Sequence, residues 1–471
     1  MQTVRGTDRK AGRTCAPVAR RVAGKKTAQI AVERDKEVKR ILEKAARAKN
    51  TDLEAWEFAI RSAVLAAGAQ ALSGLLAEIG SGRRDEPTLC ACGARMESNG
   101  VRGKPLLSIL GPVAYSRSMY QCPVCGKIRY PGDEELDVKG TSRTPGLRRI
   151  MARTGGRSAF KEARDDLKSL AEIEVSAKDV ERVAEAVGED MERWSSRERK
   201  ELCLADPPIR PDKTIPVLYV CCDGTGVPMV TSELKGRKGK QPDGSARTRE
   251  AKLGCVFTQT AVDDNGFPVR DPDSTSFVGA VESVEPFGQR LYAEAIRRGL
   301  FNAQQVVVIG DGAKWIKGLA ELHFPEAIQI IDLFHAREHV AELCKILFDA
   351  DEKKAARFRW RWWTDLDEGN GEKIIEQACR EQPANPALRE KAQKEIAYLE
   401  NNKDRMRYAD YRAQGLFVGS GVVEAGCKSV IGQRLKQSGM EWSLRGANAI
   451  IALRCMIKSG RLEDYWESRC A

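Results

Sequence analysis

The sequence has no run of about 18 uninterrupted apolar residues, which argues against a membrane-spanning helix. The nearest approach is Ser62 to Ile79, rich in Ala and Gly but broken by Gln70, Ser73 and Glu78. A buried helix is expected there, and no membrane partner. The first 20 residues carry Arg5, Arg9, Lys10, Arg13 and Arg20 and lack an apolar stretch, so no secretory signal is expected and the cytoplasm is the expected compartment. Without that signal a disulfide framework is not expected for the 14 cysteines. Internal repeats are missing too, which leaves out solenoids and arrays. Histidine is scarce, with 3 residues in 471.

What is present is a globular composition: 42% hydrophobic residues, mean hydropathy −0.43, and length for roughly three domains. The net charge is +11. Residues 1–50 hold 15 Lys and Arg against 5 Asp and Glu. A basic arm of this kind either contacts nucleic acid or is a solvated tail.

The expected organisation is a basic disordered arm over 1–28, a helical region over 29–82 and a Cys-containing, short-stranded module over 83–140. A helical region over 141–206 follows. After Pro207-Pro208 the pattern changes. Ile215 to Cys222 reads as a buried strand ending at Asp223, Leu253 to Ala261 as a second, and Pro268 to Arg270 as a short third. A helix over Phe287–Arg298, a strand over Gln305–Ile309, a helix over Ala313–Leu322 and a strand over Ala327–Ile331 complete the region 207–334. Three strands, helix, strand, helix, strand is an α/β order that matches a ribonuclease H-like core. Residues 335–415 are helical and Trp-rich, and 416–471 return as helices.

Asp223 and Asp311 both stand where a strand gives way to glycine. If the two strands are neighbours, both carboxylates face one crevice at the C-terminal edge of the sheet, where α/β folds bind ligands. Two Asp and a Glu are a hard-oxygen ligand set suited to Mg²⁺ or Mn²⁺, and two such ions serve phosphoryl transfer. Glu424 is the third candidate, at the start of a helix in Gly419-Ser-Gly-Val-Val-Glu424. Each acid alone reads equally as a turn or cap residue. The ordered trio is what points to chemistry, and the fold argument by itself does not choose Glu424 over Glu400 or Glu441.

Five segments carry a resemblance: Cys222-Asp-Gly-Thr-Gly-Val-Pro-Met229, Glu250-Ala-Lys-Leu-Gly254, Gly310-Asp-Gly-Ala-Lys-Trp315, Asp332-Leu-Phe-His-Ala-Arg-Glu-His339 and Gly419-Ser-Gly-Val-Val-Glu424. Together they resemble bacterial insertion-sequence transposases of the ISKra-four type, within the wider DDE transposases. The resemblance spans roughly residues 85–460. It implies a ribonuclease H-like catalytic domain, Mg²⁺ dependence, and catalytic roles for Asp223, Asp311 and Glu424. It also implies a helical insertion in the 112 residues between Asp311 and Glu424. The implied partners are transposon-end inverted-repeat DNA and target DNA, held by a homodimer or higher multimer. Asp332-x-x-His335 matches a spacing found in related transposases, so His335 is expected as a supporting residue near the scissile phosphate. His335 and His339 do not stand in the His-Glu-x-x-His order of a zinc helix, and packing is the plainer reading for that pair.

Cys90-Ala-Cys92 and Cys122-Pro-Val-Cys125 are two tight turns, each followed by glycine. Four thiolates so placed suit structural, tetrahedral Zn²⁺ in a ribbon-like module, with no open position for catalysis. Buried or redox-active cysteine is the alternative.

Three basic surfaces are candidates for DNA. Lys178 and Arg182 lie on the second helix of a possible helix-turn-helix, where Ser176 caps and Asp179 takes the capping-box position. A plain structural helix pair fits equally. Lys235, Arg237, Lys238, Lys240, Arg247 and Arg249 lie on a glycine-rich loop beside Asp223, suited to phosphate contact or simply solvated. Arg359 and Trp362 belong to a run alternating cations with aromatics, suited to stacking on unpaired bases or to core packing. The expectation is therefore a DNA transposase that cleaves at transposon ends and transfers strands. The alternatives are a non-catalytic DNA-binding protein derived from a transposase, or a ribonuclease H-like nuclease that does not join strands.

Overall fold

The computed structural model describes residues 52–204, 214–239, 241–242, 244–349, 351–381 and 383–469, together with Lys36, Arg40 and Glu43. The basic arm, most of 29–51 and Lys240 lie outside the described residues. The chain divides into two compact units, residues 1–183 with 466–471, and Ala184–Tyr465.

In the first unit, helix α1 (Leu53–Ile79) lies on a hairpin of β1 (Glu97–Ser108) and β2 (Gly111–Gln121), and β3 (Ile128–Arg129) pairs with the end of β2. The hairpin strands are long, not the short ones the sequence suggests; twelve-residue β1 has polar residues at its outer end and Leu106 buried at its inner end. Helix α1 is only partly buried. Ala69 and Leu76 pack with Leu106, Val113, Tyr115 and Val138, whereas Leu53, Phe58 and Ile79 remain exposed. The reason is that one face alone meets the hairpin, with Gly68 set against Leu110. By length and composition α1 is long and apolar enough to cross a membrane. The short helix α2 (Pro131–Glu135) carries the buried Asp133, which Lys104 and Arg117 neutralise. Helices α3 (Pro145–Arg157) and α4 (Phe160–Ala171) follow.

Helix α5 (Ala177–Leu204) begins at Ser176, whose hydroxyl accepts from the Asp179 amide at 3.1 Å. The expected capping box is half formed, because the Asp179 carboxylate turns to Arg143 instead. The helix continues to Leu204, and the boundary between the units falls inside it. Its later turns belong to the second unit for a steric reason: a Cβ on Gly188 would collide with the Ala449 carbonyl. Glu192 pairs there with the buried Arg290 at 2.7 Å.

The second unit is built on a five-stranded mixed sheet of β4 (Ile215–Pro228), β5 (Thr248–Gln259), β8 (Ser276–Ala280), β9 (Ala303–Gly310) and β10 (Ile328–Ile331). Their order across the sheet is β10-β9-β4-β5-β8. β4, β5 and β8 form an antiparallel meander, while β9 and β10 run parallel to β4. The third core strand is thus Ser276–Ala280. Pro268–Val269, expected in that place, instead forms β7 of a separate ribbon with β6 (Ala261–Val262). Its Pro268 lacks an amide donor, and residue 269 is exposed, so this pair suits an edge ribbon better than a central strand.

Helices α6 (Val284–Arg297) and α7 (Lys314–His323) cover one face of the sheet. Leu218, Val220, Cys222, Val256, Phe287, Leu291 and Ile316 make the core there. Each such aliphatic or aromatic side chain contributes about 1.5–3 kcal/mol on burial. Helix α6 approaches so closely that a Cβ on Gly254 would lie 2.6 Å from Leu291. The opposite face receives the chain as it returns from residues 333–415. Tyr219 stacks on Phe257 at 4.8 Å, Phe417 meets both edge-on, and the Tyr219 hydroxyl accepts from the Phe417 amide.

Between β10 and that return lie α8 (Leu333–Leu347), α9 (Glu352–Asp367), α10 (Gly371–Arg380), α11 (Pro386–Asn402) and α12 (Tyr408–Ala413). Beyond it come α13 (Gly421–Gly426), a π-helical turn over Cys427–Gly432, and α14 (Leu444–Lys458). The wide turn is pinned from α14, where the Arg454 Nε donates to the Val430 carbonyl at 2.5 Å.

Candidate active site and metal centre

β4 is paired on both sides only as far as Cys221, where its register with β9 ends at Ile309. On the β5 side it stays paired to Pro228. Asp223 therefore lies within a strand rather than after one, which corrects the expected strand end at Cys222. What ends near Asp223 is the parallel neighbour. β9 closes at Gly310, and Asp311 follows it, two residues past the last paired residue Ile309, as Asp223 stands two residues past its partner Cys221. Alternation along β4 puts Cys222 in the core under α6, so Asp223 faces the other side, towards α13.

Asp223 is half-buried, and its Oδ1 accepts from the Gly224 amide at 2.6 Å. Burial, together with the negative charge of Asp311, raises its pKa, against the opposing effect of a hydrogen bond from Cys427 and the nearby His335. The Cys427 thiol is itself pushed up, first by burial and then by Asp223, with Glu424 adding to the effect. Cys427, on the turn that continues α13, thus bonds Asp223. The Asp311 Oδ1 accepts from the Ala313 amide at 2.9 Å, an Asx-type turn that leaves its second oxygen free of that bond. Glu424 lies in the first turn of α13, and its Oε1 is 3.4 Å from the Ser420 hydroxyl.

Asp332, fully buried, fixes where α13 begins. Its Oδ1 accepts from the His335 amide at 2.7 Å and caps α8, while its Oδ2 accepts from the Ser420 amide. His335 is half-exposed, 3.6 Å from Glu338. His339 turns instead into the helices, 2.6 Å from Glu395 and stacked on Tyr398. The three candidate acids do not close into one tight cluster: among the described residues only the cysteine set brings three or more ligand atoms within 4.8 Å of one another.

In that set, Cys90, Cys92, Cys122 and Cys125 all lie within 4.8 Å by their ligand atoms. Cys90 and Cys125 are 3.5 Å apart, and Cys92 and Cys122 3.6 Å. A tetrahedral Zn–S distance of about 2.3 Å requires sulfur pairs about 3.8 Å apart, so the thiols fit zinc. Two turns shape the set: Gly93 at φ +85° and Gly126 at φ +70° are left-handed, and their amides donate to the Cys90 and Cys122 carbonyls. The two thiols of the second turn are pushed apart: the Cys125 amide leads in lowering Cys122 to about 6, whereas Cys125, against the lowering effect of the Lys127 amide, is raised to about 11 by the neighbouring Cys90 and Cys122 thiols. All four positions are protein thiols, so such a centre is closed and structural.

The basic loop between β4 and β5 leaves Lys235, Arg237, Lys238 and Arg247 exposed, whereas Arg249 is half-buried and paired with Glu233 at 3.4 Å. A cleft of roughly 1040 Å³ runs between this loop and residues Gln437–Glu441, lined in part by Lys235, Arg247 and Met440. Lys178 pairs with Glu181 on its own helix, and Arg182 is exposed. Trp362 offers nothing to a nucleic acid: it is fully buried and donates to Gln377 at 2.8 Å. Arg359 lies over Trp363, and the exposed aromatic of that helix is Trp360. The run Arg357–Trp363 is thus largely the core of the helical segment, because alternate cations cover apolar rings at helical rather than strand spacing. Sequence reasoning missed Cys427, Tyr398 and the clasp at Asp332; only the capping position of Asp332 ahead of a helix gave a signal.

The family model described as "Uncharacterised protein family (UPF0236)" matches residues 292–469, a span under half of the chain that contains Asp311 and Glu424 but not Asp223. No curated protein matches. Among solved structures, the chain is similar to one titled "Drosophila P element transposase strand transfer complex", at 11% identity and a TM-score of 0.23, over 71% of this chain and 84% of that one.

Proposed function

We propose that the chain is a DDE-type DNA transposase with a ribonuclease H-like catalytic core, of the insertion-sequence kind that its motifs resemble. The observation that supports this reading is the β4/β9 register: Asp223 and Asp311 each stand two residues past its last pair, Cys221 and Ile309, and Glu424 lies in the first turn of α13, a helix that packs on β4. The donors are hard oxygens, and burial beside a second carboxylate raises the proton affinity of Asp223, which a cation would offset. Mg²⁺ or Mn²⁺ held by Asp223, Asp311 and Glu424 would supply activation of the attacking oxygen and stabilisation of the leaving one. The chain's own residues orient these acids: Gly224 and Ala313 amides hold one oxygen of each Asp, and Asp332 sets the start of the Glu424 helix. The half-exposed ring of His335, close enough for its charge to act on Asp223, would contact a phosphate oxygen. Lys235, Arg237, Lys238 and Arg247 would bind the phosphate backbone of transposon-end or target DNA, positioning it without reading sequence. A homodimer or larger assembly would hold two ends, and Zn²⁺ in the four-thiol set would be structural.

The test is a strand-transfer assay with Mg²⁺, DNA carrying the sequences that flank the reading frame, and a supercoiled target plasmid. Joined product is expected from the wild type and none from Asp223→Asn, Asp311→Asn or Glu424→Gln. Joining that survives any of these substitutions overturns the assignment. Cleavage without joining favours a ribonuclease H-like nuclease, and specific DNA binding with neither step favours a non-catalytic DNA-binding protein.

A further inference from the structure

Tyr398 stands outside every motif that suggested function, yet it touches the backbone of a candidate catalytic acid. It lies on α11, 87 residues beyond Asp311, and its hydroxyl donates to the Asp311 carbonyl at 2.8 Å. That carbonyl needs such a donor. β9 ends at Gly310, whose own carbonyl still accepts from the Asp332 amide, and beyond it the ladder with β10 stops. The next residue, Gly312, is left-handed at φ +85°. A Cβ there would lie 2.9 Å from the Tyr398 hydroxyl and 3.0 Å from its ring. The phenol therefore packs directly on the Asp311–Gly312 turn.

The other side of the phenol is held just as closely. The His339 ring stacks on it with centroids 3.6 Å apart and planes 19° from parallel. His339 comes from α8, and its Nδ1 is 2.6 Å from the Glu395 Oε2, one turn before Tyr398 on α11. The stem of α8 is anchored by Asp332, which also holds the start of the Glu424 helix. Tyr398 is thus clamped between a histidine and a glycine, with its one polar atom on Asp311.

We infer that Tyr398 is a positioning residue for Asp311, and that through the His339–Glu395 pair the helical segment 333–415 holds the geometry of the metal-binding edge. This rests on the transposase reading only in taking Asp311 as a metal ligand. The segment between the second and third acids then sets how well the carboxylates bind a divalent cation. Residues that orient a metal ligand from behind typically matter about 10–100-fold in metal affinity or activity.

The experiment compares wild type with Tyr398→Phe, Tyr398→Leu, His339→Phe and Asp311→Asn in the full chain. Three readouts are taken: Mn²⁺ binding from the free-ion electron paramagnetic resonance signal, Mn²⁺-dependent DNA cleavage, and the thermal midpoint without metal. Tyr398→Phe keeps the ring stack and removes only the hydroxyl. The expected result is Mn²⁺ affinity about 10-fold weaker, with the midpoint lowered by only the few degrees that one lost hydrogen bond costs and cleavage restored by raising Mn²⁺. Tyr398→Leu should lose more, and His339→Phe, which keeps the stack without the Glu395 tether, less. Wild-type Mn²⁺ affinity in both Tyr398 variants, while Asp311→Asn abolishes binding, overturns the inference and leaves the catalytic reading standing. A lowered midpoint with unchanged Mn²⁺ affinity also overturns it, since that is what packing alone predicts. If Asp311→Asn binds Mn²⁺ and cleaves like the wild type, the catalytic reading itself fails.

Discussion

The chain holds two candidate metal centres, and they are built in opposite ways. In the first unit, four thiols converge within 4.8 Å on two short turns, and no position is left open. In the second, the acids stand on a strand, on the turn that follows its parallel neighbour, and on a separate helix, and do not gather into so tight a set. The thiol centre has the build of a fastener: its ligands come in two tight sequence pairs, each placed by a local turn, and the β1–β2 hairpin brings the two turns together. The carboxylate edge is an open platform. Its acids are far apart in sequence, and residues from other parts of the chain touch the segments that carry them: Asp332 accepts from the Ser420 amide at the start of α13, and Tyr398 donates to the Asp311 carbonyl. A closed set suits stability, and an open one leaves room for substrate oxygens.

The sharpest way to break that contrast is to remove one ligand from each. Cys122→Ser should abolish zinc binding and unfold the ribbon around residues 83–140, because structural zinc is worth on the order of 10 kcal/mol to a small module. Metal analysis by mass spectrometry and limited proteolysis read this directly. Asp311→Asn should leave the thermal midpoint unchanged or slightly raised, since it relieves the repulsion between Asp223 and Asp311. If Cys122→Ser stays folded without zinc, or if Asp311→Asn unfolds the second unit, the distinction between fastener and platform is wrong.

How much of this is legible in the sequence follows the same divide. The cysteine turns are local, so spacing and the glycines after them are sufficient. The core strands β4, β9 and β10 are legible because their apolar runs are continuous, as buried parallel strands require. The third strand is misplaced for the opposite reason. Ser276–Ala280 is short and carries Ser, Gly and Ala, whereas the turn at Asp263–Gly266 makes Pro268–Val269 look like its hairpin partner; that hairpin does form, but off the main sheet. Asp223 stands out although its strand reads too short, because glycines 224 and 226 resemble a loop when they are in fact strand residues paired with Lys252 and Glu250. Tyr398 is not legible at all. Nothing in its sequence neighbourhood marks it, since its partner is a backbone carbonyl 87 residues away.

The helical segment offers a second, smaller contrast between two neighbouring tryptophans. Trp362 is fully buried against Phe348 and Phe358, and Trp360 is exposed. Trp362→Ala should cost about 3–5 kcal/mol in urea unfolding. Trp360→Ala should stay within about 0.5 kcal/mol. Equal losses would mean that the exposed ring is covered in solution.

The smallest effect concerns the ion network behind the sheet. Burial works to raise the Glu192 carboxyl, but Arg290 and then Arg199 outweigh it and hold its pKa below the usual carboxylate range. A depressed carboxyl gives stability that is present above its unfolded pKa, about 4.3, and lost as pH falls through the folded value. Glu192 is partly exposed, and Arg290 keeps Glu282 at 2.9 Å as a second partner, so the contribution is about 1 kcal/mol. Glu192→Gln should therefore unfold at lower urea than the wild type by a constant margin above about pH 5. The margin should shrink as pH falls below about 4.3, and the two curves should converge only once pH has passed below the depressed folded value, where the wild-type carboxyl is protonated in the folded state as well. A margin that persists undiminished at low pH would show that Glu192 acts through packing of its stem rather than through its charge.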